Sequence, residues 1–444
     1  MSMLFLLIAF AVLLYLLLVR KWNTFPASLV ASFVLIILDG IPIWNGVQQI
    51  YAAAFGSSTG SYLILMTFGS LFGTMMASSG CALRIARVLT KLLGKKNAVV
   101  TVYFLTSLMI FGGISVLVVI FTVGPVGLAM WQESNLPRRL LCATTIAGGG
   151  GFALTSIPGT PNILNLLPTQ VLPTDAMAAP MIGFISCIVQ ITLCLIFLKF
   201  MQKRYTKKGM GFEEVATAMV LEEADFGEAG LPSAFIAFLP VIIVISSVLF
   251  LSGVIDGGST AAAALGMTVA NIITYVINRK RFSKPLSVTI TEGLQGGLNA
   301  TVYMCALVGF GIVIRNSSAF TIISDFVSSL SAGGSITSVL FSAFVGVSIF
   351  VATTANGASG LDLFWKTLGD QFVNSGVNPQ LLHRITVIAS GGFDSVPHNS
   401  AYPVFNAVCG TEIKHMYPLV AVVTLVIPVI ACLVCILFAG MGLV

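Results

Sequence analysis

Four short segments of this chain combine helix-breaking residues with hydroxyl and amide side chains: Phe121-Thr-Val-Gly-Pro-Val-Gly127, Thr155-Ser-Ile-Pro-Gly-Thr-Pro-Asn162, Thr353-Thr-Ala-Asn-Gly-Ala-Ser-Gly360 and Asp394-Ser-Val-Pro-His-Asn-Ser400. Each interruption of a helix exposes an N-terminus whose free N–H groups and partial positive charge attract anions without a lysine. One such end contributes up to about 2 kcal/mol in a partly buried setting. Several ends, with hydroxyl and amide donors added, reach the roughly 4 to 8 kcal/mol of millimolar-to-micromolar binding, a supply that suits a hydroxylated carboxylate. The candidate substrate ligands are Thr122, Gly124, Ser156, Gly159, Thr160 and Asn162 from the N-terminal half. From the C-terminal half they are Thr353, Thr354, Asn356, Gly357, Ser359, Ser395, His398 and Asn399. A single cluster of this kind is explained well enough by helix kinking and packing. Four clusters in equivalent places favour a site.

Asp394 is the one acid inside such a break, and an ionised carboxylate at mid-bilayer costs about 2.5 to 3.5 kcal/mol on insertion scales. It must be paired, protonated or coupled to an ion. His398, four residues on, belongs to the side-chain type that exchanges protons near neutral pH, so Asp394 and His398 are the candidate coupling groups. Asp394 capping the following half-helix is the structural alternative. Arg138, Arg139 and Arg384 precede the two broken spans and are read as interfacial anchors, with attraction of anions as the alternative. Gly357-Ala-Ser-Gly360 fits the short pattern of an intramembrane serine protease, with His383 or His398 as base. Its counterpart Gly124-Pro-Val-Gly127 keeps the glycines without the nucleophile, as backbone geometry requires and catalysis does not. An enzyme is therefore not expected. Of the cysteines, 8 in all, only Cys432 and Cys435 share a C-x-x-C spacing, so they read as small packing residues, and neither a metal nor a cofactor is expected.

The elements that position these groups must lie in a bilayer. Charged residues are 9% of the 444, AVILMFWYC residues are 57%, and the mean hydropathy is +1.00. The apolar residues form blocks near the ~20 residues that span a membrane, among them Leu4 to Val19, Met181 to Leu198 and Pro418 to Leu437. The first block has no basic residue before it, and Arg20 and Lys21 follow it, so it reads as a retained span rather than a signal peptide. The net charge of +6 sits in short loops between apolar blocks, which marks topology and not a nucleic-acid partner.

Internal duplication organises the blocks. Gly113 to Leu128 lies over Gly346 to Leu361 without a gap, matching glycines 113, 124 and 127 to 346, 357 and 360, and Ser115 to Ser348. Ile146-Ala-Gly-Gly-Gly, leading to Ser156-Ile-Pro158, matches Ile388-Ala-Ser-Gly-Gly, leading to Ser395-Val-Pro397, and Gly73 to Ser79 lies opposite Gly311 to Ser317. With the cytoplasm at Arg20, the basic clusters Arg84 to Lys96, Arg138/Arg139, Lys199 to Lys208, Arg279 to Lys284 and Lys414 fall inside. Arg315, Lys366 and Arg384 fall outside. This works only if 98–130 and about 335–377 are re-entrant hairpins entering from opposite faces. The expectation is an all-α polytopic membrane protein of two inverted-topology repeats, with about ten transmembrane helices and two re-entrant hairpins. Residues 1–201 form the first repeat (scaffold spans 1–97, hairpin and broken span 98–201), 202–232 a cytoplasmic linker, and 233–444 the second repeat (scaffold 233–334, hairpin and broken span 335–444). Such symmetry places a site at the repeat interface near the midplane of secondary transporters. A channel, which selects by rings of charge or carbonyls about a pore, fits less well.

Pro158-Gly-Thr-Pro-Asn-Ile-Leu-Asn-Leu-Leu-Pro-Thr169 and Ala389-Ser-Gly-Gly-Phe-Asp-Ser-Val-Pro-His-Asn399 resemble the gluconate permease family of bacterial organic-acid symporters, within the ion transporter superfamily. The resemblance implies a homodimeric scaffold, a moving body holding both hairpins and both broken spans that works as an elevator, and proton-coupled import across the bacterial inner membrane. It implies gluconate, related sugar acids or 3-hydroxybutyrate-like short-chain acids as substrates. Val123, Val126 and Ala355 make the breaks less polar than a polyol acid needs, which favours the short-chain acids. Sodium coupling, with the ion near Thr122 and Asn356, is the alternative to protons.

Overall fold

The computed structural model describes residues 1–444 other than 21, 112–115, 161, 213–229, 252–253, 257, 331–334 and 400. The acidic part of the expected linker, Glu213 to Asp225, and Gly113 and Ser115 of the internal match therefore lie outside the described residues. The described residues are all helix and connecting turns. Among the described residues, six helices are long and apolar enough to cross a membrane, and three shorter apolar helices accompany them. Two of the expected spans are broken, so the expected count of ten is not met by unbroken helices.

One group of helices consists of α1 (Ser2–Leu14, continued by a π-helical turn Tyr15–Val19), α2 (Thr24–Leu38) and α3 (Asn45–Ser78), with the short amphipathic α4 (Cys81–Leu93). Packed with it from the C-terminal half are α11 (Ala234–Leu251), α12 (Gly258–Asn278), α13 (Leu286–Arg315) and the short α14 (Ser318–Leu330). Helices α3 and α13 pack along their length, and α2 and α12 lie against them. Small residues allow that approach. A Cβ at Gly293 would stand 2.8 Å from Leu71 Cα, and one at Gly297 would collide with Thr67 Cα and the Met66 carbonyl. Without a hydrophobic force between helices in lipid, such close van der Waals packing holds them together. The pairing of 293 with 71 and of 297 with 67 also shows that α3 and α13 run antiparallel. At 30 residues and about 1.5 Å per residue, α13 exceeds the ~30 Å hydrocarbon thickness, so it tilts or projects.

The second group begins with α5 (Ala98–Phe111) and α6 (Val116–Glu133), followed by α7 (Arg138–Gly150), the single turn α8 (Phe152–Thr155), the single turn α9 (Ile163–Leu166) and α10 (Pro180–Lys207). The C-terminal half supplies α15 (Ile336–Thr354), α16 (Gly357–Val373), α17 (Pro379–Ser390), α18 (Tyr402–Cys409) and α19 (Ile413–Gly440). Helices α10 and α19 are antiparallel: Cys435 Sγ faces the Ile182 carbonyl at 3.4 Å, and Cys194 Sγ faces that of Val423 at 3.6 Å. Hairpin α5–α6 packs in one apolar cluster with the Cys187–Met201 part of α10, whereas hairpin α15–α16 shares another with Ile182. The hairpins thus lie toward opposite ends of α10. All eight cysteines are free and buried.

Register of the first hairpin differs from the sequence expectation. Phe121 to Gly127 was expected at a tip, but it lies inside α6, with Pro125 within the helix. A Cβ at Gly149 would be 3.8 Å from both Ile110 and Val116, so the ends of α5 and α6 converge there, about ten residues before the expected tip. The aligned stretches 121–127 and 354–360 thus differ in local structure, helix interior against tip, because glycine spacing is set by helix-packing contacts as much as by turns. In the second hairpin the expectation and the structure coincide: α15 ends at Thr354, Ala355 is left-handed (φ 48°), and α16 starts at Gly357.

Candidate functional site

The second break is built by failure of helix at both sides. Helix α17 ends at Ser390, a 3-10 turn spans Phe393–Ser395, Val396 is extended, and α18 resumes at Tyr402 with Pro403 in its first turn. Within this break the partly exposed Asp394 carboxylate accepts from Asn399 Nδ2 at 2.9 Å. The same amide reaches the Asp394 carbonyl (2.6 Å) and the Ala355 carbonyl (3.1 Å), so Asn399 ties the break to the hairpin tip. Helix α16 begins at that tip, where Asn356 Oδ1 accepts the Ser359 N–H at 2.9 Å. The Gly357 position faces the Ser390 carbonyl and Asp394 Oδ2, at 3.0 and 3.6 Å from where a Cβ would stand. Asp394 therefore sits at the positive end of a 17-residue helix, the setting that stabilises an anion.

The two breaks meet. A Cβ at Gly391 would be 2.5 Å from Thr155 Cγ2, and Leu164 Cδ1 lies 3.6 Å from the Gly357 position. The structure thus gathers Asn356, Gly357, Asp394 and Asn399 with Leu164, whose neighbours Asn162 and Asn165 belong to one hydrogen-bonded segment. Around Leu164, Asn162 and Thr160 hydrogen-bond each other, Asn162 Oδ1 accepts the Asn165 N–H at 3.1 Å, and Gly159 (φ 80°) donates its N–H to the Ala176 carbonyl at 2.9 Å. Ser395 lends its carbonyl to the Tyr402 hydroxyl (2.7 Å). Thr353 and Thr354 hydroxyls bond back to the Phe350 carbonyl, as hydroxyls on helices commonly do.

Other expected residues fall elsewhere. Ser156 turns toward α10, 2.8 Å from Ser186 Oγ and accepting from Gln190 Nε2 at 2.7 Å. Thr122 is buried inside α6, and Gly124 packs against Val408 of α18. His398 shares no hydrogen bond with Asp394 among the described residues. Its ring packs on Phe10 of α1 (4.7 Å between centroids) and Phe310 of α13 (6.2 Å), because the four-residue spacing is not helical here. Ser359 lies in the first turn of α16, and no hydrogen bond among the described residues joins its hydroxyl to a histidine. No group of three or more His, Cys, Asp or Glu among the described residues could hold a metal.

Arg384 departs most from expectation. Read from sequence as an interfacial anchor, it is 0% exposed, and it donates to the Ala178 carbonyl (2.9 Å), Asn165 Oδ1 (3.0 Å) and the Ala176 carbonyl (3.0 Å). Arg138 is buried as well, over the Phe212 ring at 4.3 Å. Asn165 carries no distinguishing signal in the sequence, whereas the burial of Arg384 has one, a lone arginine within the otherwise largely apolar run Leu381-Leu-His-Arg-Ile-Thr-Val-Ile388. A cavity of about 700 Å³ also opens between the two helix groups, lined by Ser70, Thr74, Asn299 and Tyr303 on one wall and Phe121 and Asn406 on the other. Its lining also carries Lys284, paired with Glu292 at 3.0 Å, and Lys414, paired with Glu412 at 2.6 Å.

Comparison with known proteins identifies the family of the chain. The family model for GntP family permeases matches residues 1–441. The chain is 25% identical over 433 residues to the uncharacterized transporter YxjC of Bacillus subtilis, covering 90% of this chain and 91% of that one. It is 25% identical over 395 residues to the gluconate permease of Bacillus subtilis, covering 82% and 83%. Against the high-affinity gluconate transporter of Escherichia coli it is 34% identical over 119 residues, 25% of this chain and 27% of that protein. These relatives are permeases and transporters, not enzymes. With its apolar helices and a family match across nearly its whole length, the chain belongs to the GntP family of permeases and is a multi-pass protein of the bacterial inner membrane.

Proposed function

We propose that this permease is a secondary active symporter that imports a small hydroxy-carboxylate, 3-hydroxybutyrate-like or a sugar acid such as gluconate, together with protons. One observation carries the reading: Asp394 occupies the N-terminus of α16 at the meeting point of two broken helices, in the place that a substrate carboxylate would take. Two carboxylates cannot share one helix end without repulsion. Protonation of Asp394 frees the site for the substrate anion, and that linkage is symport. Relatives named as gluconate permeases support an organic-acid substrate.

The fold supports an alternating-access reading. Two inverted repeats, 1–201 and 233–444 about the linker 202–232, are consistent with the shared element order and with the antiparallel packing of α3 on α13 and of α10 on α19. The first helix group is assigned as a dimerising scaffold and the second as the body that moves as an elevator. With the mouth of the cavity assigned to the cytoplasm, the structure is open inward, and the outer half is closed where His398 meets Phe10 and Phe310.

Uptake of labelled 3-hydroxybutyrate into proteoliposomes, with gluconate and lactate as competitors and with pH and sodium gradients imposed separately, tests the proposal. Concentrative uptake driven by inward protons and lost in Asp394→Asn is expected. Uptake driven by sodium alone would replace protons by sodium, and no uptake under either gradient would remove this substrate class.

A further inference from the structure

A full positive charge lies buried in the body that carries the site, and none of the described carboxylates pairs with it. Arg384 is 0% exposed, and its guanidinium donates to two carbonyls and one amide oxygen, all from the Asn165–Ala178 segment of the opposite half. Burying an ion is costly, and the cost is offset only where well-placed acceptors satisfy its donors, as these three do. The bonds continue in one direction. Asn165, held at Oδ1 by Arg384, donates Nδ2 to the Thr160 carbonyl and the Ala176 carbonyl, both at 2.9 Å, and its N–H to Asn162 Oδ1. His383, the preceding residue of α17, secures the same segment through Thr174 at 2.8 Å. Leu164, between Asn162 and Asn165, meets the hairpin tip at Gly357.

We propose that Arg384 is a positioning residue: acting through Asn165, it holds Thr160, Asn162 and Leu164 of the first repeat against the Gly357 tip of the second, and so assembles one anion site from two halves. The inference deepens the symporter reading and rests on it for the identity of the ligand. Arginine suits this role because its planar fork meets three fixed acceptors at once, which the single ammonium of lysine cannot do.

The test uses the full chain with Leu164→Cys as a reporter, the native cysteines all being buried. Arg384→Lys and Asn165→Ala should each speed maleimide labelling at position 164 at least about tenfold while the native cysteines stay unlabelled; loss of a charge-assisted bond has that order of effect. In proteoliposomes of the same variants, without the reporter, KM for the acid should rise about tenfold with maximal rate within about twofold, and the double variant should be no worse than the poorer single one. Unchanged labelling, simultaneous labelling of every cysteine, or an unchanged KM with less folded protein would each overturn the proposal and leave Arg384 a stability residue only. If the wild type moves no acid, the symporter reading fails, and the labelling result still decides the positioning role.

Discussion

At the scale of single residues, the side chains that matter are those whose bonds cross between segments. Asn399 is the clearest, since one amide joins Asp394 to the Ala355 carbonyl and a second atom accepts the Ala401 N–H at 2.7 Å. Asn399→Ala leaves buried acceptors unpaired, at a cost of about 1–3 kcal/mol, and should lower uptake at least about tenfold, read as initial rate in proteoliposomes. Ser359→Ala should change KM by no more than about threefold, because the cap of α16 is made by Asn356 and the serine contributes only its backbone N–H. Had the serine been a nucleophile, its loss would be total. Sequence singled out Asp394 and Asn399 by their place in a polar break. It did not show that His398 turns away from Asp394 to meet Phe10 and Phe310, because non-helical backbone removes the periodicity from which facing could be read.

At the scale of elements, the hairpins and breaks are held by close backbone approach. A Cβ at Gly360 would collide with Val351 Cα and lie 2.6 Å from its backbone nitrogen, so α15 and α16 can pair only with glycine there. Gly360→Ala should therefore destabilise the second hairpin by about 1–3 kcal/mol, as overpacking commonly does, seen as faster proteolysis at the tip in detergent and loss of uptake. The first hairpin shows why glycine patterns mislead. Gly124 and Gly127 serve packing on Val408 and Leu141 inside a continuous helix, whereas their aligned partners Gly357 and Gly360 sit at a true tip. Ile146 and Ile388 each lie just ahead of a helix end, at Gly150 and Ser390, where the chain breaks.

At the scale of the molecule, two helix groups face each other across the cavity. Assigned to the inward-open state, the cavity should admit a membrane-impermeant maleimide to Asn299→Cys from the cytoplasmic side alone, compared in inside-out and right-side-out vesicles. Labelling from the outer side only would reverse the assigned orientation. Each wall of the cavity carries its own ion pair, Lys284 with Glu292 and Glu412 with Lys414, so these four residues add no net charge to its lining.

Composition and block length alone determined that this chain lives in a bilayer, because hydrocarbon tolerates so few charges that 9% leaves no other solvent. The Gly, Pro and Asn clusters determined that helices break at Thr155–Asn162 and Asp394–Asn399, since a backbone without helix bonds needs such residues. Only the tertiary structure decided that Ser156 belongs to a bond network with α10, that Thr122 and Gly124 are helix interior, and that Arg384 is an internal clamp. These are contacts between residues as far apart as 165 and 384, and their partners are chosen by the packing of whole helices, which no local pattern of residues records.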